Sequence, residues 1–260
     1  MIVENLKIAL IQYPIFWEEK EKNFDYLDSK ISTLPEDIDI LVLPEMFNTG
    51  FTMQSAKFAE SMNGKSIEKL KYWSKLMSIC ICGSLIIEED GKFFNRLIWV
   101  DKNQNIQTYD KRHLFGLGEE DKNFSPGKDR LIVEEKGWKI CPMICYDLRF
   151  PVWTRNINAQ YDLLIFVANW PSKRIHHWNA LIPARAIENQ SYVVAVNRIG
   201  KDGNAIEHNG QSQIVHPNGD VLIKSEKEEI LIFNLEEMEL KKNRRIFPFL
   251  KDMDSFSIDD

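Results

Sequence analysis

The sequence predicts an α/β protein built on mixed β-sheets, and three observations carry that expectation. Short apolar runs of strand length alternate with amphipathic stretches at helical spacing. The pattern occurs in the first half and again in the second. Two turn-flanked hairpin signals then introduce short antiparallel strands towards the end.

Taken in order, Leu6–Gln12 (LKIALIQ) reads as a buried strand. Phe24, Leu27, Ile31 and Leu34 recur at helical spacing and put one apolar stripe on a surface helix. Ile38–Leu43 is a second buried strand, ending at Pro44-Glu45. Ser66 is placed to cap a helix carrying Ile67, Leu70, Trp73 and Met77. Ile79–Ile87 and Phe93–Val100 flank Glu89-Asp90-Gly91 as a hairpin. Trp138–Ile144 runs as a strand into Cys145, and Asp162–Ala168 is a further one. A helix between Arg174 and Asn189 precedes the strand Tyr192–Asn197. The turns Lys201–Asn204 and Pro217–Asp220 open the final hairpins, which run up to Leu235. No repeat, low-complexity tract or linker interrupts the series, so residues 1–260 are expected to form one domain.

Composition narrows the function. Hydrophobic residues make up 44% of the 260 and charged residues 28%, which is ample for a core and excludes a disordered or fibrous chain. The 39 acidic residues outnumber 33 basic ones, giving a formal charge of −6. Such a surface repels phosphate backbones and anionic lipid, so neither nucleic acid nor membrane is expected as a partner. The basic run Lys241–Arg245 is short and reads as a solvated helix end. No segment approaches the roughly 20 apolar residues of a membrane span. The N-terminal stretch reads as a strand and not a signal peptide, and a cytoplasmic location is expected. Four cysteines are too few for a disulfide framework.

Reactive side chains fall where apolar strands end, the positions a sheet holds most rigidly. Glu45 follows the strand LVLP and is boxed by Pro44, Met46 and Phe47, a partly desolvated setting that suits a general base. On this motif alone the commoner case is a helix-capping or loop glutamate making a salt bridge. Lys111, in YDKRHLF, stands between a polar strand and an apolar pair; turned inward, its ammonium suits a developing oxyanion. Cys145 lies where a strand breaks into a loop, with Pro151 placed for the first turn of a helix. A thiol at such a turn projects from the backbone, and the next N–H is free to meet an oxyanion. Cys80, Cys82 and Cys141 sit inside apolar runs and read as inert packing thiols. Their spacings are not those of a zinc site. A Cys–His pair with His113, His176, His177, His208 or His216 stays open on spacing alone.

In this order, Glu45 after LVLP, Lys111 in YDKRHLF and Cys145 in ICYDLRFP resemble the nitrilase, or carbon–nitrogen hydrolase, superfamily, from the first strand through Leu235. Within it, LPEMFNTGF, FVANWP, HHWNALIPARAIENQSYVVAVNR and IFPFLKDMDSF resemble the bacterial omega-amidases, which hydrolyse the terminal amide of 2-oxoglutaramate and related dicarboxylate monoamides. The resemblance implies an α-β-β-α sandwich of two mixed sheets, paired as a homodimer, with no metal or organic cofactor. It implies Glu45 as general base, Lys111 as oxyanion stabiliser and Cys145 as nucleophile. It also implies a second, orienting glutamate ahead of Ser125-Pro126-Gly127. Counting back selects Glu120, with Glu119 and Asp121 one position away left open. Trp170 corresponds to a pocket wall, with Phe47 and Phe115 as further walls and the Tyr146 N–H as a second oxyanion donor. Arg185 and Glu188 are expected as a structural pair, and His177 and Trp178 as packing residues. The substrate class implied is a small carboxylated amide. A nitrilase, a carbamoyl amino acid hydrolase or a non-catalytic binding protein of the same fold are the alternatives.

Overall fold

The computed structural model describes residues 4–258. The chain opens with strand β1 (Leu6–Gln12), helix α1 (Lys20–Ile31), β2 (Ile40–Val42) and the single-turn α2 (Ser55–Phe58). Helix α3 (Lys65–Met77), the hairpin β3 (Cys80–Glu89)–β4 (Lys92–Val100) and β5 (Ile106–Asp110) follow. Then come the short α4 (Glu120–Asn123), β6 (Val133–Glu135), β7 (Trp138–Ile144), α5 (Pro151–Thr154) and β8 (Leu163–Val167). The long α6 (Ile175–Asn189) leads to β9 (Tyr192–Val196) and the small hairpin β10 (Ile199–Lys201)–β11 (Glu207–Asn209). Strands β12 (Ser212–Val215), β13 (Val221–Ser225) and β14 (Glu229–Leu235) precede α7 (Glu237–Ile246).

Two six-stranded sheets result, ordered β14-β1-β2-β3-β4-β5 and β13-β12-β9-β8-β7-β6. Each has three parallel central strands, β1–β2–β3 in one and β7–β8–β9 in the other, with antiparallel strands outside them. Strand alternation explains the apolar runs. Leu6, Ile8 and Leu10 of β1 join the core shared with the second sheet, whereas Ala9 and Ile11 join the cluster holding Phe24 and Leu27 of α1 and Leu70 and Trp73 of α3. Trp178, Ile182 and Ala186 of α6 pack with the second sheet. The layers are therefore helix, sheet, sheet, helix. Among the described residues no helix is long and apolar enough to cross a membrane.

Two local expectations are corrected. Ser66 does not cap α3: the helix begins at Lys65 behind Gly64, and the Ser66 hydroxyl donates to Glu60 at 2.6 Å. A nearby acceptor outcompeted the backbone. The basic run is not wholly solvated either. Arg244 reaches back to the Asp162 carboxylate (2.6 Å) and to the carbonyls of Gln190 and Tyr161, pinning α7 to the body. Arg185 and Glu188 do pair, at 2.9 Å.

Candidate active site

The C-terminal ends of the parallel strands meet at a cavity of about 280 Å³, lined by Glu45, Lys111 and Cys145 together. Glu45 arrives three residues after β2, Lys111 one residue after β5, and Cys145 immediately after β7, so the first sheet supplies two groups and the second supplies the thiol. Cys145 has φ +42°, a left-handed conformation that costs a non-glycine residue about 1 kcal/mol or more. The chain turns sharply there into a short 3-10 helix, Cys145–Arg149.

Glu45, Lys111 and Glu120 are all essentially fully buried. The Lys111 ammonium donates to Glu45 Oε1 (2.8 Å) and to both oxygens of Glu120 (3.0 and 2.9 Å). Asn95, facing in from β4, donates through one Nδ2 to Glu45 Oε1 (2.9 Å) and Glu120 Oε1 (3.0 Å). The other Glu45 oxygen accepts the Asn169 backbone N–H at 2.9 Å, and Glu120 also accepts the Phe115 N–H at 2.6 Å. One cation and several N–H groups thus hold two carboxylates, which makes their burial tolerable. Of the three adjacent acids, Glu120 is the buried one that meets Lys111, whereas Glu119 faces solvent and pairs with Lys122, and Asp121 is exposed.

The electrostatics follow from burial and these neighbours. Burial would pull the Lys111 pKa down, but Glu120 and Glu45 outweigh it and raise it, so the ammonium stays charged. Burial raises Glu120 despite Lys111 beside it. Burial and the Glu45 charge push the Cys145 thiol well above its ordinary value, and Lys111 offsets only part of this. The resting sulfur is therefore a thiol.

Trp170, Phe115 and Tyr146 line the cavity as expected. Phe47 does not. The left-handed Met46 (φ +43°) turns the chain, and Phe47 packs among the helix-side residues, 6.3 Å from the Trp73 ring. Its seat requires Gly83, where a Cβ would stand 2.9 Å from Leu43 Cβ and 3.0 Å from the Phe47 ring. Phe51 supplies that wall instead, with its ring 5.1 Å from the Lys111 ammonium. Among the described residues no hydrogen bond joins a histidine to Cys145: His113 meets Asp147, His177 meets Arg149, and His216 meets Asn218.

Sequence reasoning missed Asn95, Asn169, Arg149 and Arg174. A fully buried amide in the apolar run of β4 was a readable signal for Asn95. Arg149 and Arg174 both line the cavity, and neither has a carboxylate partner among the described residues. The Arg149 guanidinium lies 4.7 Å from the centre of the Trp170 ring, and that of Arg174 lies 5.0 Å from Phe115. Burial, with Arg174 nearby, lowers the Arg149 pKa. The far wall comes from the β10–β11 hairpin through Asp202, Asn204, Ile206 and His208. No group of three or more His, Cys, Asp or Glu among the described residues is arranged to hold a metal.

The chain is 37% identical to the Escherichia coli protein named omega-amidase YafV, over 97% of this chain and 98% of that one. A Yersinia enterocolitica protein of the same name is 39% identical over 98% and 99%. The 2-oxoglutaramate amidase of Bacillus subtilis is 33% identical over 86% and 88%. The crystal structure of a CN-hydrolase superfamily protein from Xanthomonas campestris, which carries an arsenic adduct in its active site, superposes with a TM-score of 0.97 at 37% identity, covering 98% of this chain and all of that one. A sequence model of the carbon–nitrogen hydrolase family matches residues 7–241, and the chain belongs to that family.

Proposed function

We propose that this protein is a thiol amidase that hydrolyses the terminal amide of short dicarboxylate monoamides of the 2-oxoglutaramate type, releasing ammonia. The observation that carries the reading is one small cavity lined by a thiol, a carboxylate, an ammonium and two arginines that have no carboxylate partner among the described residues. Two like charges side by side disfavour each other until an anion enters, and a substrate carboxylate relieves both. The relatives named for 2-oxoglutaramate and omega-amide hydrolysis support the same class.

In this mechanism Glu45 takes the proton from the Cys145 thiol as the sulfur attacks the amide carbonyl carbon. The oxyanion is met by Lys111 and by the Tyr146 N–H, which in the first turn of its 3-10 helix has no intrahelical acceptor. Each such donor contributes about 3 kcal/mol to the transition state. Lys111 makes a two-pronged contact to Glu120, so one N–H can turn to the oxyanion while Glu120 keeps the chain aimed. Glu45 then passes the proton to the departing ammonia, leaving a thioester on Cys145, and finally activates the water that hydrolyses it. Trp170, Phe115 and Tyr146 limit the substrate to a short chain.

The reading treats residues 1–260 as one catalytic domain working as a homodimer in the cytoplasm, where four free thiols stay reduced. Light scattering of the purified chain tests the dimer.

Ammonia release measured across 2-oxoglutaramate, succinamate, butyramide, a short nitrile and an N-carbamoyl amino acid tests the activity. Carboxylated amides should be turned over, and butyramide should lose about 100-fold or more in kcat/KM. Arg174→Met should raise KM for the carboxylated amides and leave butyramide unaffected. Preferential turnover of the nitrile or the carbamoyl compound would replace the amidase reading.

A further inference from the structure

The Asp147 carboxylate is fully buried two residues beyond Cys145 but does not line the cavity. Its oxygens collect donors from two parts of the fold. From the second sheet, the Ile144 N–H donates to Oδ2 at 3.1 Å. From the first, the Tyr109 hydroxyl donates to the same oxygen at 2.7 Å. The His113 backbone N–H reaches Oδ1 at 3.1 Å, and its ring Nδ1 lies 2.8 Å from that atom.

Ile144 directly precedes Cys145, and Tyr109 and His113 flank Lys111 by two residues on either side. One carboxylate therefore joins the end of β7 to the end of β5, strands in opposite sheets. Its partners are themselves fixed. The Tyr109 oxygen accepts Trp153 Nε1 at 3.0 Å and the Arg112 N–H at 3.1 Å, and the His113 ring stacks on Phe150 at 3.7 Å. Burial, reinforced by Asp147, holds the Tyr109 phenol far above its usual pKa, so it remains a donor.

We propose that Asp147 is a positioning residue for amide hydrolysis, setting the Cys145 sulfur against the Lys111 ammonium across the two sheets. The proposal rests on the thiol-amidase reading given above. Apolar packing between sheets is non-directional, whereas hydrogen bonds fix both distance and angle. The reacting groups need that definition, because a shift of about 1 Å at a reacting centre costs about 100-fold in rate. A carboxylate suits the task better than an amide. Each oxygen faces donors, so the NH₂ of an asparagine would oppose a donor whichever way it pointed.

The test compares the full-length wild type with Asp147→Asn, Tyr109→Phe and the double variant. The measurements are kcat and KM for 2-oxoglutaramate, melting temperature, and the rate at which iodoacetamide alkylates Cys145, followed by peptide mass spectrometry. Asp147→Asn should lower kcat by about 100-fold with KM held within about threefold, and Tyr109→Phe should lower it by about tenfold. Alkylation of Cys145 should slow in both, and the double variant should be little worse than Asp147→Asn alone, since the two act through one contact. A lower melting temperature with wild-type kcat and alkylation rate in either variant would overturn the proposal. Should Asp147→Asn fail to fold, Tyr109→Phe decides by the same criteria. A wild type inactive on every amide would fell the amidase reading, while the alkylation rates would still judge the role of Asp147.

Discussion

At the scale of single residues, the proposed chemistry turns on a sulfur that burial keeps protonated. Burial and Glu45 raise the Cys145 thiol further than Lys111 lowers it, so proton removal and attack have to be coupled. The Lys111 ammonium favours a thiolate, but burial, and after it the Glu45 carboxylate, outweigh it. Cys145→Ala should abolish ammonia release with the fold retained. Lys111→Arg should lose most activity although charge is kept, because a planar guanidinium does not fit between Glu45 Oε1 and the two Glu120 oxygens. Initial-rate assays beside circular dichroism check both, and an active Lys111→Arg enzyme would remove the direct oxyanion contact. Glu45 and Cys145 were legible as candidates because each follows the end of an apolar run, and Lys111 because it stands between a polar strand and an apolar pair. Arg149 and Arg174 were not, since the direction of a long flexible side chain is decided by tertiary neighbours such as Trp170 and Phe115.

At the scale of elements, the strands read most clearly where apolar residues were continuous: Trp138–Ile144 is β7 residue for residue, and the expected hairpin after Ile79 is β3–β4. Helix ends and loops read less well. Ser66 had the chemistry of a cap, but Glu60, brought close by folding, took its hydroxyl and its N–H. Phe47 followed Glu45 closely enough to suggest a shared pocket, and a single left-handed residue between them sent it to the opposite face. The loop carrying Lys111 has its own requirement. Gly127 donates to the Lys111 carbonyl at 3.0 Å, and a Cβ there would stand 2.1 Å from the Asp110 carbonyl oxygen. Gly127→Ala should therefore displace backbone on one side or the other. The expected result is a fall in kcat of about tenfold or more with a lowered melting temperature. Unchanged kinetics would show that the loop yields without moving Lys111.

At the scale of the whole molecule, the doubled βαβ pattern read from the apolar runs corresponds to two sheets with the same internal order, parallel centre and antiparallel flanks. What linear order did not disclose is the β10–β11 hairpin standing as a wall of the cavity, because that placement depends on contacts far apart in the chain. It carries His208, which burial and the neighbouring Arg198 hold neutral, with its pKa lowered to about 4. The unfolded chain protonates this histidine near pH 6.5 and the folded one only near 4, so the unfolded state binds more protons between those values. Stability contributed by this site is complete above about pH 6.5 and declines as pH falls towards 4. The melting temperature should drop more steeply between pH 7 and 5 in the wild type than in His208→Gln. Parallel curves would show that the imidazole titrates freely in the fold.

The three remaining sulfurs have a practical corollary. Burial raises all four thiols, so access is what separates them: Cys80, Cys82 and Cys141 are sealed in the strands. Cys145 alone opens onto the cavity. A small electrophile applied to the native protein should therefore bind one equivalent per chain. That uptake would count working copies in a preparation directly, without recourse to any turnover assay.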